Sequence, residues 1–107
     1  IDANNIKSIF ASYGSSVELA APGENVYGPA PDLQMAAWSG TSMSAPMASG
    51  ALALALGEEL SVSKNSLVDE LKNRSYDINL FELNSLFKGL LGKGRLDIEN
   101  FLKNTTK

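Results

Sequence analysis

The stretch Trp38-Ser39-Gly40-Thr41-Ser42-Met43-Ser44-Ala45-Pro46-Met47-Ala48-Ser49-Gly50 holds four serines, two glycines and one proline in thirteen residues. It follows LQMAAWS (33–39), which reads as a strand, and opens into MSAPMASGALALAL (43–56), a run of strong helix formers. At such a junction the first N–H groups of the helix are free, and the helix macrodipole favours negative charge there. Proline is tolerated in the first turn of a helix, so Pro46 predicts a start just upstream of itself, and Gly57 is placed to close the helix. Ser44, followed by Ala45-Pro46, fits the N-cap. Much of the helix face is Ala, Ser or Gly, which lets neighbouring backbones approach and predicts a buried central helix.

Two readings of the serines compete. Ser and Thr are the preferred caps of helices, and small residues pack well at a helix start. A hydroxyl becomes a nucleophile only when a base takes its proton and donors receive the developing oxyanion. Gly40 allows a tight backbone and close substrate approach, and Thr41 adds a hydroxyl beside the site. Spacing alone describes an anion-stabilising pocket containing a serine, and leaves Ser39, Ser42, Ser44 and Ser49 open.

Outward from this stretch, IKSIFASY (6–13), VELAA (17–21) and ENVYG (24–28) read as short strands. Pro29-Ala30-Pro31-Asp32 reads as a loop, because two prolines restrict the backbone. SVSKNSLVDELKN (61–73) predicts a helix capped by Ser63, with Leu67, Val68 and Leu71 as its apolar stripe. YDINLFELNSLFKGLL (76–91) is apolar-rich and stays open between helix and irregular structure. Gly92-Lys93-Gly94 is a turn, and LDIENFLK (96–103) predicts a short terminal helix. Strands alternating with helices, one strand feeding a buried helix, point to α/β layering.

Composition narrows the chemistry. The 107 residues suffice for one domain, and the net charge of −3 supplies no basic field for phosphate-driven nucleic-acid binding. No apolar run reaches membrane-spanning length; the longest, Ala45 to Leu56, is broken by Ser49 and Gly50. There is no cysteine and no histidine. The missing histidine removes the usual general base and the commonest metal ligand together. Glu18, Glu24 and Asp32 are scattered carboxylates of solvated surface, as are Glu58-Glu59 and Asp69-Glu70. Asn73-Arg74-Ser75 and Asn104-Thr105-Thr106 are glycosylation triplets, meaningful in a secretory setting. Trp38 fits either a cleft or the core. The start at Ile1-Asp2-Ala3, without Met, is what is expected of a piece cut from something longer or of a processed product.

Gly40-Thr41-Ser42-Met43-Ser44-Ala45-Pro46 resembles the nucleophile signature of the subtilisin-like serine proteases (peptidase family S8), Gly-Thr-Ser-Met-Ala-x-Pro-His-Val-Ala-Gly. The departures are Ser44 for Ala, Met47 for His, Ala48 for Val and Ser49 for Ala, and the histidine replaced at Met47 is not the family's catalytic one. FASYGSSVELAAPGENVYG (10–28) is similar to the family's segment before the nucleophile, and GKGRLDIENFL (92–102) to its closing turn and final helix.

The resemblance implies a partial peptidase domain over 1–107, the C-terminal portion of a three-layer α/β/α fold with a parallel sheet and a central helix starting at the nucleophile. It implies a serine endopeptidase acting on polypeptides without cofactor or metal, with Ser42 attacking the scissile carbonyl to form an acyl-enzyme. Ser42 N–H would be one oxyanion donor, with Gly40, Thr41, Met43 and Pro46 supporting the site and Met43 packing beside the nucleophile.

The family order is aspartate, histidine, serine, so the triad partners and the oxyanion asparagine belong to a preceding N-terminal part. Without that partner the chain is expected to be inactive, and no lysine lies near the motif to substitute. Family habit points to secretion. Two other readings remain: a pseudoprotease that binds without cleaving, and an assembly module. An incomplete parallel sheet is also expected to self-associate through its exposed edges.

Overall fold

A computed structural model describes residues 1–58 and 63–105. ENVYG and LQMAAWS both fall on strands, β1 (Val26–Ala30) and β2 (Gln34–Trp38), paired antiparallel from Val26↔Trp38 to Ala30↔Gln34. The loop expected at Pro29-Ala30-Pro31-Asp32 is shorter, because Pro29 and Ala30 lie inside β1. Both strands of a two-stranded ribbon are edges, where a proline facing outward removes no ladder bond. Asp32 and Leu33 both take left-handed backbone, φ 62° and 59°. Aspartate tolerates this conformation, whereas leucine pays a Cβ clash. Leu33 is also fully exposed, so Leu33→Gly is expected to raise stability by about 0.5–1 kcal/mol, read as a higher urea midpoint.

Helix α1 spans Thr41–Glu58, so it starts upstream of the expected position and Pro46 lies inside it as the sixth residue. Pro46 has no N–H, and the helical bond from residue 46 to the Ser42 carbonyl therefore does not form. Ser44 is not the N-cap; it sits in the first turns and donates to the loop beneath. Gly57 is within the helix rather than after it. Nor is α1 enclosed as expected: only Ala51 and Ala55 are buried, and Leu54 is 56% exposed.

Helix α2 (Lys64–Asn73) begins as expected at Ser63, whose Oγ accepts from Ser66 N at 3.2 Å. Ser61 and Val62, also assigned to it from sequence, lie outside the described residues, as do Glu59 and Thr106. Leu67 and Leu71 are buried and Val68 half-buried. Helix α3 (Ile98–Thr105) starts two residues later than Leu96 because Asp97 caps it, accepting from Asn100 N at 2.9 Å. Phe101 of α3 is fully buried with Ala51, Ala55, Leu67, Leu71 and Leu96 in the main core. A second core gathers Ile1, Ile78 and Leu91, against which Phe81 and Phe87 pack. Between Ile78 and Leu91, the segment left open by sequence contains a 3₁₀ helix, Glu82–Phe87.

The strands expected at 6–13 and 17–21 are not present. The first is replaced by turns: Asp2 Oδ1 accepts from Asn4 N and Ile6 N, and Lys7 N is taken by Asn84 Oδ1. The second makes one parallel bridge, Ala20↔Arg95, through Ala20 N to Gly94 O at 2.8 Å and Leu96 N to Ala20 O at 2.7 Å. Gly92 makes this approach possible: its φ is 78°, and a Cβ there would collide with the Glu18 backbone. On the other side, Gly23 N donates to Ile1 O and Ile1 N to Ala21 O, the alternation of a parallel ladder. Further back along that edge, Leu19 N and O and Ala21 N have no partner among the described residues.

The mixture of helices and strands is compatible with an α/β fold, but the sheet among the described residues is the antiparallel ribbon alone. The molecule is a slab of 41 × 39 × 20 Å. Its accessible surface is 7071 Å², against about 5,800 Å² for a compact monomer of this mass.

Candidate active site

Glycine and proline build the seat of the first turn of α1. Pro22-Gly23 turns the chain beneath it, and Gly40 N donates to Gly23 O at 2.7 Å. Ser44 Oγ faces two carbonyls, Ala21 O at 3.1 Å and Pro22 O at 3.0 Å, and donates its one proton between them. Asn25 N donates to Ser39 Oγ at 2.9 Å, closing the base of the hairpin against the same turn. Met43 N donates to Gly40 O at 3.0 Å, which starts the helix.

The approach is too close for a side chain on the loop. A Cβ at Gly23 would sit 2.5 Å from Ser44 Oγ and 3.0 Å from Gly40 O. Gly23→Ala is therefore expected to destabilise the fold by about 1–3 kcal/mol, lowering the thermal midpoint. An unchanged midpoint would show that the clasp yields freely.

Ser42 is the second residue of α1 and is exposed. No acidic residue lies in the first turn, so the positive end of the helix dipole is uncompensated there. Gly40, Thr41, Ser42 and Met43 come together at this turn; Met43 is half-buried and Thr41 exposed, while Pro46 is exposed one turn further on. The other serines have separate places. Ser39 accepts from the hairpin, Ser44 ties down the loop, and Ser49 faces solvent. Trp38 is 43% exposed on β2, outside both cores.

Among the described residues, no side chain hydrogen-bonds Ser42 Oγ, and no group of three acidic residues is placed to hold a metal ion. Glu18 instead reaches Lys72 at 3.7 Å. Lys7 is committed elsewhere: its Nζ donates to Ser8 O at 2.9 Å and lies 4.8 Å from the Phe87 ring centre.

Beside the seat runs an open groove of about 420 Å³, lined on one side by Thr41, Ser44, Ala45 and Ala48 and on the other by Leu19 and Ala21. Its walls include the Leu19–Ala21 edge whose backbone groups lack partners. In the sequence Pro22-Gly23 is simply a turn dipeptide, and its role under Gly40 appears only when the two segments are brought together.

The sequence profile of the subtilase family matches residues 1–94. The chain is 35% identical over 99 residues to the halolysin-like extracellular serine protease Nep of Natrialba magadii, covering 92% of this chain and 17% of that protein. It is 38% identical over 72 residues to subtilisin BL of Lederbergia lenta, covering 67% of this chain and 27% of that one. In fold it is similar to the prenylagaramide maturation protease PagA, with a TM-score of 0.77 at 21% identity, over the whole of this chain and 41% of that one. The chain thus spans roughly a sixth to a quarter of the two sequence relatives. With this family match over most of its length, the chain belongs to the subtilase family of serine proteases.

Proposed function

We propose that this chain carries the nucleophile of a subtilisin-type serine endopeptidase, and that Ser42 is that nucleophile. One observation carries the reading: Ser42 stands in the first turn of a helix clasped by Gly23, with its hydroxyl uncommitted. In the reaction, a base removes the Ser42 proton as Oγ bonds to the scissile carbonyl carbon. The negative oxygen that forms faces the free N–H end of α1, with Ser42 N–H as one donor. The proton passes to the leaving amine, the C–N bond breaks, and an acyl-enzyme remains for water to hydrolyse.

The base is not in this chain, which has no histidine. It belongs, with the aspartate that orients it, to a part of the protein preceding Ile1. The Leu19–Ala21 edge and the alanine-lined groove support a parallel strand of that part entering here, completing the sheet over α1. Gly40 and Thr41 shape the pocket, Met43 packs beside the nucleophile, and the substrate is a polypeptide. The chain by itself is inactive and associates through the open edge. The Natrialba magadii relative is described as extracellular, and this protein works outside the cell as well.

The test is labelling of the whole protein with a fluorophosphonate probe. Modification at Ser42, lost in Ser42→Ala, is the expected result. A folded whole protein that takes up no probe would make it a pseudoprotease.

A further inference from the structure

From Ile78 to Lys88 the sequence repeats every three residues: INL, FEL, NSL, FK. Ile78 and Asn84 are fully buried, and Phe81 and Phe87 pack on the second core. At the third position of each triplet, Leu80, Leu83 and Leu86 are 80%, 73% and 86% exposed. A 3₁₀ helix has three residues per turn, so side chains three apart eclipse. Leu83 and Leu86 therefore stack on one face of the helix Glu82–Phe87, while Leu80 precedes the extended Phe81 and lies outside the helix.

This ridge cannot be hidden by rotating the helix. Asn84, on the opposite face, accepts from Lys7 N and donates to Asn5 O and Ile78 O, each at 2.9 Å. Phe87 is held against Tyr13, ring centres 4.8 Å apart. The third face is polar and carries Glu82 and Lys88, opposite charges two turns apart.

We propose that the leucine ridge is a self-docking surface on which two copies of this protein pair antiparallel about a two-fold axis. Charge selects the second copy and its direction. An antiparallel pairing sets Glu82 against the partner's Lys88, and the two-fold repeats that ion pair, whereas a parallel two-fold turns the two polar faces to opposite sides and makes neither contact. The axis then passes beside Ser85, midway between Glu82 and Lys88. In that register Leu83 lies beside the partner's Leu86, offset by about 2 Å along the helix, and Leu86 beside the partner's Leu83. Leu80 falls at the rim.

Area sets the strength of the contact. The three leucines expose on the order of 400 Å², within the range of the largest patch on a monomer. Two such ridges bury on the order of 800 Å², the scale of a weak, reversible pairing.

The proposal does not rest on catalysis at Ser42 and is tested by sedimentation equilibrium of the whole protein. The expected result is a reversible dimer whose dissociation constant rises at least about 100-fold in Leu83→Asp and little in Leu80→Asp. Glu82→Lys or Lys88→Glu alone should weaken it about fivefold, and the two together should restore it. All four positions are on the surface, and an unchanged circular dichroism spectrum checks that the variants fold. Three results would overturn the pairing: a wild-type protein monomeric at about 100 μM, association indifferent to Leu83→Asp, or no recovery in the double charge exchange. The first means that another part of the protein covers the ridge. The second places the contact at the open Leu19–Ala21 edge.

Discussion

Ser42→Ala in the whole protein is expected to lower kcat for peptide hydrolysis by about 10⁶-fold while leaving KM within a few-fold of its starting value. The magnitude is subtilisin's own and follows from the family, not from the geometry of this chain. The direction follows from the site. Ser42 Oγ makes no hydrogen bond among the described residues, so removing it disturbs no structural contact. The seat is built by Gly23, Gly40 and Ser44, all of which remain. Loss of activity should therefore come without loss of stability, and the thermal midpoint of the variant should match the wild type. Ser44→Ala should give the opposite profile, because its hydroxyl ties the first turns of α1 to Ala21 and Pro22. A Ser42→Ala protein that retains hydrolysis would move the nucleophile elsewhere.

Asn84→Ala is the substitution expected to unfold the most structure, at about 3–5 kcal/mol. Asn84 is fully buried, and its amide ties the distant segment at Asn5 and Lys7, and the neighbouring Ile78, to the 3₁₀ helix. Removing it leaves Lys7 N and Asn5 O without partners and Ile78 O with only the long bond from Phe81 N at 3.4 Å, and a buried group without a partner carries a desolvation penalty of about 1–3 kcal/mol. Two of the three are only part-buried, which keeps the total below the sum. Asn84→Asp retains the acceptor for Lys7 N but turns a carboxylate oxygen toward Asn5 O and Ile78 O. It should be no more stable than the alanine variant. Denaturant unfolding of the two variants beside the wild type measures both. A loss under about 1 kcal/mol would mean that water satisfies the freed groups.

Local signals were legible and long-range ones were not. Ser63 announced α2 because a cap and its stripe lie within one turn of each other, and the strands flanking Pro31 were readable for the same reason. Pro46 misled the start of α1. A helix tolerates proline beyond its first turn when the lost bond falls on an exposed end, as it does at the Ser42 carbonyl. The segments 6–13 and 17–21 had strand-like composition, but a strand needs a neighbour in register. Here turns at Asp2 and the single bridge at Ala20 are what the chain supplies.

Residues 76–91 resisted because both familiar periods, two and 3.6, fail on a repeat of three. At the site, spacing left four serines equal, and the resemblance singled out Ser42. The clasp from Gly23 joins positions seventeen residues apart, which no local pattern reveals.

The three-residue repeat also bears on which changes of length this protein can absorb. Deleting one whole triplet between Ile78 and Phe87 shortens the element by a turn but leaves every remaining residue on the side it now occupies. Deleting a single residue turns everything beyond it by about 120°, bringing leucines to the core side and carrying the inner residues outward. Among lineages of this chain, insertions and deletions in this segment should therefore come in threes, so that the ridge changes length without changing sides.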